Sequence, residues 1–87
     1  MVKIRYAEKA CKMILKIKKK DKNHYEMIKK QLAKIKANPE AFKPLKNVLK
    51  GIRRVHVNDS FVIEYEYDKN DNIVSILRYG HHDKAYK

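Results

Sequence analysis

Three runs decide the fold: Ile52-Arg53-Arg54-Val55-His56-Val57, Phe61-Val62-Ile63-Glu64-Tyr65-Glu66-Tyr67, and Ile73 to Tyr79. In the first, Arg54 and His56 fall on one face and Val55 and Val57 on the other, the alternation of a half-buried strand. The second alternates Phe61, Ile63, Tyr65 and Tyr67 against Val62, Glu64 and Glu66. The third has apolar residues on both faces, which predicts a central strand. Asn58-Asp59-Ser60 and Asp68-Lys69-Asn70-Asp71-Asn72 separate the runs with turn-forming side chains. Three strands with such short connections form an antiparallel meander.

Upstream the period changes. Val2, Ile4 and Tyr6 alternate with Lys3 and Arg5, predicting one more short strand. Ala10, Met13, Ile14 and Ile17 then fall on one helical stripe, widened by Cys11 and Leu15 and opposed by Lys12, Lys16 and Lys19. Asn23 with Glu26 three residues later has the form of a capping box for a second helix. Tyr25, Ile28, Leu32 and Ile35 form its inner face, and Asn38-Pro39 ends it, because a residue before proline is pushed out of the helical region. Asn38 to Gly51 reads as a connector carrying Phe42, Leu45, Val48 and Leu49, and Gly51 marks entry to the strands. The expected fold class is α+β: strand, antiparallel helix pair, three-stranded meander, with the helices on one face of a twisted sheet.

The chain has 87 residues, read as a single domain over 1–87 with a small, two-layered core. Lys and Arg number 22 against 10 Asp and Glu, a formal net charge of +12. A field of that sign favours an anionic partner, nucleic acid or an acidic protein, although lysine-rich faces also serve solvation alone. Cys11 is the only cysteine, which excludes an intramolecular disulfide and a cysteine metal cluster and fits a reducing cytosol. Cys11 itself reads as a small core hydrophobe. Lys3 and Arg5 break any signal-like opening, and no apolar run approaches a membrane span, so the expectation is a cytoplasmic protein without a membrane partner.

The last ten residues, Arg78-Tyr79-Gly80-His81-His82-Asp83-Lys84-Ala85-Tyr86-Lys87, concentrate cations, imidazoles and phenols. If the helices cover Val55 and Val57, Arg54 and His56 lie in the open, and the tail brings Arg78, His81, His82, Lys84 and Tyr86 to the same edge. Such groups suit phosphodiester cleavage without a metal or other cofactor: one takes the 2′-hydroxyl proton, another protonates the leaving 5′-oxygen, and cations stabilise the transition state. His81 and His82 point to opposite sides of an extended tail, so at most one of the two is expected to face the site. The histidines lack the spacing of a zinc ligand set. Tyr86 either stacks on a base or pins the C-terminus. Arg53 shares the inward parity of Val55 and is expected at an edge or beside a carboxylate, and Lys50 adds a further cation before the strand.

The order of elements, Arg53-Arg54-Val55-His56-Val57 leading into Phe61 to Tyr67, and the closing Tyr79-Gly80-His81-His82-Asp83-Lys84-Ala85-Tyr86 together resemble the RelE/ParE toxin superfamily, more narrowly its RelE- and YoeB-like mRNA interferases. The resemblance implies a toxin of a type II toxin–antitoxin system that enters the ribosomal A site and cuts mRNA with the RNA's own 2′-hydroxyl as nucleophile. It implies Arg54 and His56 at the strand positions where relatives place cations and acid–base groups, and His81 or His82 and Tyr86 at the terminal catalytic positions. Arg53, Arg78, Lys84 and Lys50 are then the substrate-binding cations, and a RelB-like antitoxin, the ribosome and mRNA are the partners. The sequence departs from the family where relatives carry a strand arginine, since Ser60, Phe61 or Val62 stands there; Arg78, Arg53 or Lys84 would have to replace it. A ParE-like gyrase inhibitor and a non-catalytic basic RNA-binding module share the same architecture and charge.

Overall fold

The structure, a computed structural model, describes residues 2–42 and 51–81. Its elements run β1 (Lys3–Tyr6), α1 (Glu8–Lys20), α2 (Lys22–Ala37), β2 (Ile52–His56), β3 (Phe61–Asp68) and β4 (Ile73–His81). The strands form one sheet in the order β1-β4-β3-β2. β2, β3 and β4 are the predicted antiparallel meander, and β1 joins β4 in parallel, with Lys3 opposite Ile73 and Tyr6 opposite Ile76. β4 is therefore central, as its composition implies.

One face of the sheet carries the helices. Ala10 and Ile14 of α1 and Ile28 and Ile35 of α2 are buried against Val55, Val57, Ile63, Tyr65, Val74, Ile76 and Tyr79. Four large apolar residues among those described fall outside this layer: Leu15 is 50% exposed, Tyr6 44%, Met27 40%, and Met13, expected on the α1 stripe, 38%. The core stripe of α1 is thus narrower than its sequence suggests, and β1 packs through Val2 and Ile4. No described helix is long and apolar enough to cross a membrane.

The second helix starts before the predicted capping box. Asp21 occupies the cap, and its carboxylate accepts from the His24 backbone N–H at 3.0 Å, while Glu26 pairs with Lys29 at 2.9 Å on the helix surface. One aspartate thus ends α1 and starts α2, which keeps the hairpin short. Asp21→Ala is expected to cost about 1 kcal/mol, read as a fall in Tm of roughly 4–8 °C for a domain of this size.

Asn38-Pro39 closes α2 as expected, and the buried hydroxyl of Tyr65 donates to the Pro39 carbonyl at 2.6 Å. Burial pushes this hydroxyl from its ordinary 10.0 to about 12. A folded-state value raised in this way keeps its stabilisation below the ordinary value and loses it as pH rises toward the folded one.

The mixed character of β4 has a structural cause. Glu64 pairs with Arg78 but Tyr65 pairs with Ile76, so Leu77 has no partner in the register and forms a bulge. The extra residue shifts the alternation, and Val74, Ile76 and Tyr79 all reach the helix-facing core. Arg78 and Gly80 are left on the open face with Glu64 and Val62.

Candidate nucleic-acid interface

The strand register writes a charged row across the open face. Arg54 of β2 stands opposite Glu64 of β3, which stands opposite Arg78 of β4. The next row is His56, Val62 and Gly80. His56 is exposed, and at the far end of the row, beyond Val62, Gly80 has open space where a side chain would stand. The Arg78 side chain is 53% exposed whereas that of Glu64 is 1%, so the carboxylate lies beneath and the guanidinium reaches outward. Arg78 Nε lies 3.8 Å from Glu64 Oε1. Burial pushes the Glu64 carboxyl above the usual range, and the charges of Arg78 and then Arg54 pull it partly back. Two guanidinium groups and an imidazole on one open face can hold a phosphate and exchange a proton beside it.

Two sequence-predicted residues lie elsewhere. Arg53 turns to the helix side and donates from Nη1 to the backbone carbonyls of Phe42 at 2.6 Å and Glu40 at 3.3 Å. Of the two expectations for it, an edge or a carboxylate, it meets the first, since β2 is an edge strand; its partners are carbonyls, and it fastens the connector's start to β2. His81 pairs with Phe61, whose parity is that of Ile63 and Tyr79, so it faces the helices and not Arg54 and His56. The convergence expected from the tail therefore holds for Arg78 and not for His81. Lys50, His82, Lys84 and Tyr86 lie outside the described residues.

A second group, on the helix side, was not anticipated. The imidazole Nε2 of His24 shares a hydrogen bond with the Tyr79 hydroxyl, and its ring meets the Phe61 ring edge-on at 4.6 Å. Phe61 stacks on Tyr79 with ring centres 5.6 Å apart and touches His81 at 5.8 Å. Together with Met13, Lys16, Ile17, Lys20 and Asp21, the rings of His24, Phe61 and His81 border a cleft of about 650 Å³. His24 precedes Ile28 by one helical turn and so falls on the inner stripe of α2, which is the signal that could have found it. Burial pushes the Tyr79 hydroxyl well above its ordinary value. Tyr79→Phe keeps the stacking and removes the hydrogen bond, and a loss of about 1 kcal/mol in chemical denaturation is expected.

Residues 4–86 match the family described as the ParE toxin of type II toxin–antitoxin systems, parDE. A Methanocaldococcus jannaschii chain named as toxin RelE4 is 36% identical over 76 residues, covering 87% of this chain and 81% of its own. Among solved structures, a YoeB/ParE toxin from Agrobacterium tumefaciens superposes with a TM-score of 0.85 at 15% identity, covering 93% of this chain and 99% of that one. The toxin–antitoxin complex RelBE2 from Mycobacterium tuberculosis contains a chain similar at TM-score 0.74 and 20% identity, over 92% of this chain and 96% of its own. At such identities the two structures speak for the fold alone. The family match across nearly the whole length and the RelE4 relative go further: the chain belongs to the RelE/ParE superfamily, the toxins of type II toxin–antitoxin systems.

Proposed function

We propose that this toxin is a ribosome-dependent endoribonuclease that cuts mRNA in the A site. The observation that carries the reading is the row of Arg54 and Arg78 flanking Glu64, with exposed His56 beside it on the face the helices leave open. Arg54 and Arg78 hold the scissile phosphate and stabilise the charge that builds on it as the 2′-oxygen attacks. His56 takes the 2′-hydroxyl proton, while His82 and Tyr86 at the tail supply the proton for the departing 5′-oxygen, with Lys84 and Lys50 as further phosphate contacts. His81, on the helix side, has no part in this scheme. The 2′-hydroxyl is the nucleophile, so the proposed reaction needs no metal ion, and a chelator should leave its rate unchanged.

The partner that neutralises it is an antitoxin. Of the similar structures, RelBE2 is a toxin–antitoxin complex. A net charge of +12 suits an acidic chain laid over the same open face.

The test is cleavage of mRNA on translating ribosomes by the purified protein, with end mapping, comparing wild type with His56→Ala and His82→Ala. Cuts confined to the A site that disappear in the variants support the reading. The match to a family described by its ParE members favours a second reading, a gyrase-directed toxin. Folded protein that makes no cuts but blocks gyrase supercoiling would establish that one instead.

A further inference from the structure

The buried carboxylate of Glu64 calls for an explanation, because a charged side chain at 1% exposure in a strand is costly unless it is paired for a purpose. Its strand neighbours Ile63 and Tyr65 serve the helix-side core, so Glu64 faces the open side, where a polar residue ordinarily stays wet. Its Oε1 lies 3.8 Å from Arg78 Nε, and its Oε2 has no hydrogen-bond partner among the described residues. Arg54 and Arg78 stand two strand spacings apart, about 10 Å at the backbone, with Glu64 between them. The sequence meanwhile lacks a cation at Ser60, Phe61 or Val62, ahead of this same strand's apolar run.

We propose that Glu64 is a positioning residue, whose buried carboxylate draws the Arg54 and Arg78 side chains toward one another over β3 so that they grip a single phosphodiester. The inference rests on the ribonuclease reading for its rate effects, though not for phosphate binding itself. Two guanidinium groups flanking an uncharged residue repel and spread into solvent; a negative charge between them offsets that repulsion. A guanidinium has five N–H donors, more than one carboxylate can occupy, so contact with Glu64 does not by itself exhaust either group. Arg78 with Glu64 as its anchor thus supplies from β4 the cation that β3 does not carry.

Such a device trades stability for geometry. Burial raises the carboxyl of Glu64, and among the described residues the charges opposing that rise come from Arg78 on β4 and Arg54 on β2. With the folded-state value above the ordinary 4.5, the favourable contribution is complete below that value and is lost as pH rises through the folded one. Glu64→Gln, which keeps the shape and removes the charge, should therefore melt no lower than wild type at pH 7. Its single-turnover cleavage on ribosomes should nevertheless fall roughly 10- to 100-fold, with the ribosome concentration for half-maximal rate unchanged. In an Arg78→Ala background the same substitution should have almost no further effect, because its influence passes through Arg78.

A second readout is independent of cleavage. The Nε–Hε resonances of Arg54 and Arg78 should both shift when wild type is titrated with a 2′-O-methyl RNA dinucleotide, and in Glu64→Gln this binding should weaken about tenfold or more. Glu64→Asp, with the charge kept on a shorter arm, should recover part of both effects and serves if the glutamine variant does not fold. Wild-type rate and binding in Glu64→Gln, or an equal loss in the Arg78→Ala background, would overturn the proposal. If wild type itself makes no cuts, the ribonuclease reading falls, and the titration alone decides whether Glu64 organises a phosphate site.

Discussion

On the ribonuclease reading, Arg78→Ala is expected to lower the single-turnover rate of mRNA cleavage by about 10²- to 10³-fold, the usual consequence of deleting one donor aimed at developing transition-state charge. The expectation rests on position. Arg78 is the described cation of the tail that shares the open face with Arg54, and half of its side chain is in water. The loss should appear in rate at saturating ribosome rather than in ribosome affinity, because the many lysines of the surface carry most of the non-specific attraction. Stability should change little. A half-exposed ion pair contributes about 0–1 kcal/mol, and a Glu64 carboxylate deprived of Arg78 can take up a proton, as its burial already favours. The variant should consequently melt higher at mildly acidic pH than at neutral pH. An unchanged cleavage rate would remove Arg78 from the phosphate site.

The largest expected effect on stability is at the centre of the other face. Ile63 is 0% exposed and stands between Val55 and Tyr79 in the register, under the helices. Ile63→Ala should cost about 2–5 kcal/mol, a transfer loss plus an unfilled cavity. A domain of this size has only about 5–10 kcal/mol to lose, so its urea midpoint should fall by roughly a fifth or more, at an unchanged slope. Cleavage per folded molecule, on the ribonuclease reading, should be preserved, because the deleted carbons face the helices while the row of Arg54, Glu64 and Arg78 lies on the opposite side of the strand. A fall in rate beyond the folded fraction would show that the two faces are coupled.

The two predictions separate along a line that the sequence already draws. Alternation in Val55 and Val57, and in Ile63 and Tyr65, assigns the core face without knowledge of any partner strand, and the stripe of Ile28 and Ile35 assigns the helix face. What alternation cannot supply is register. Glu64 reads as an ordinary wet position until Arg54 and Arg78 are known to lie opposite it, and His81 reads as part of the same constellation until its pairing with Phe61 turns it to the helix side. Local competition explains the smaller differences. Asp21 outcompetes Asn23 for the cap because its carboxylate is placed to accept from the His24 N–H while α1 is ending at the same residue. Arg53 follows its inward parity as expected, but the groups waiting there are backbone carbonyls of the connector's first turn, which composition does not reveal.

The bulge at Leu77 bears on how chain length can vary in this strand. Removing Leu77 would give a regular strand in which Arg78, Tyr79, Gly80 and His81 keep their present sides, because the bulge already absorbs the surplus residue. Deleting Ile76 or Arg78 instead would let Leu77 take the vacated place opposite Tyr65 or Glu64, with the other residues of β4 keeping their sides. The surplus residue therefore absorbs a single loss at any of these three positions, and the sides of Tyr79, Gly80 and His81 are kept through it.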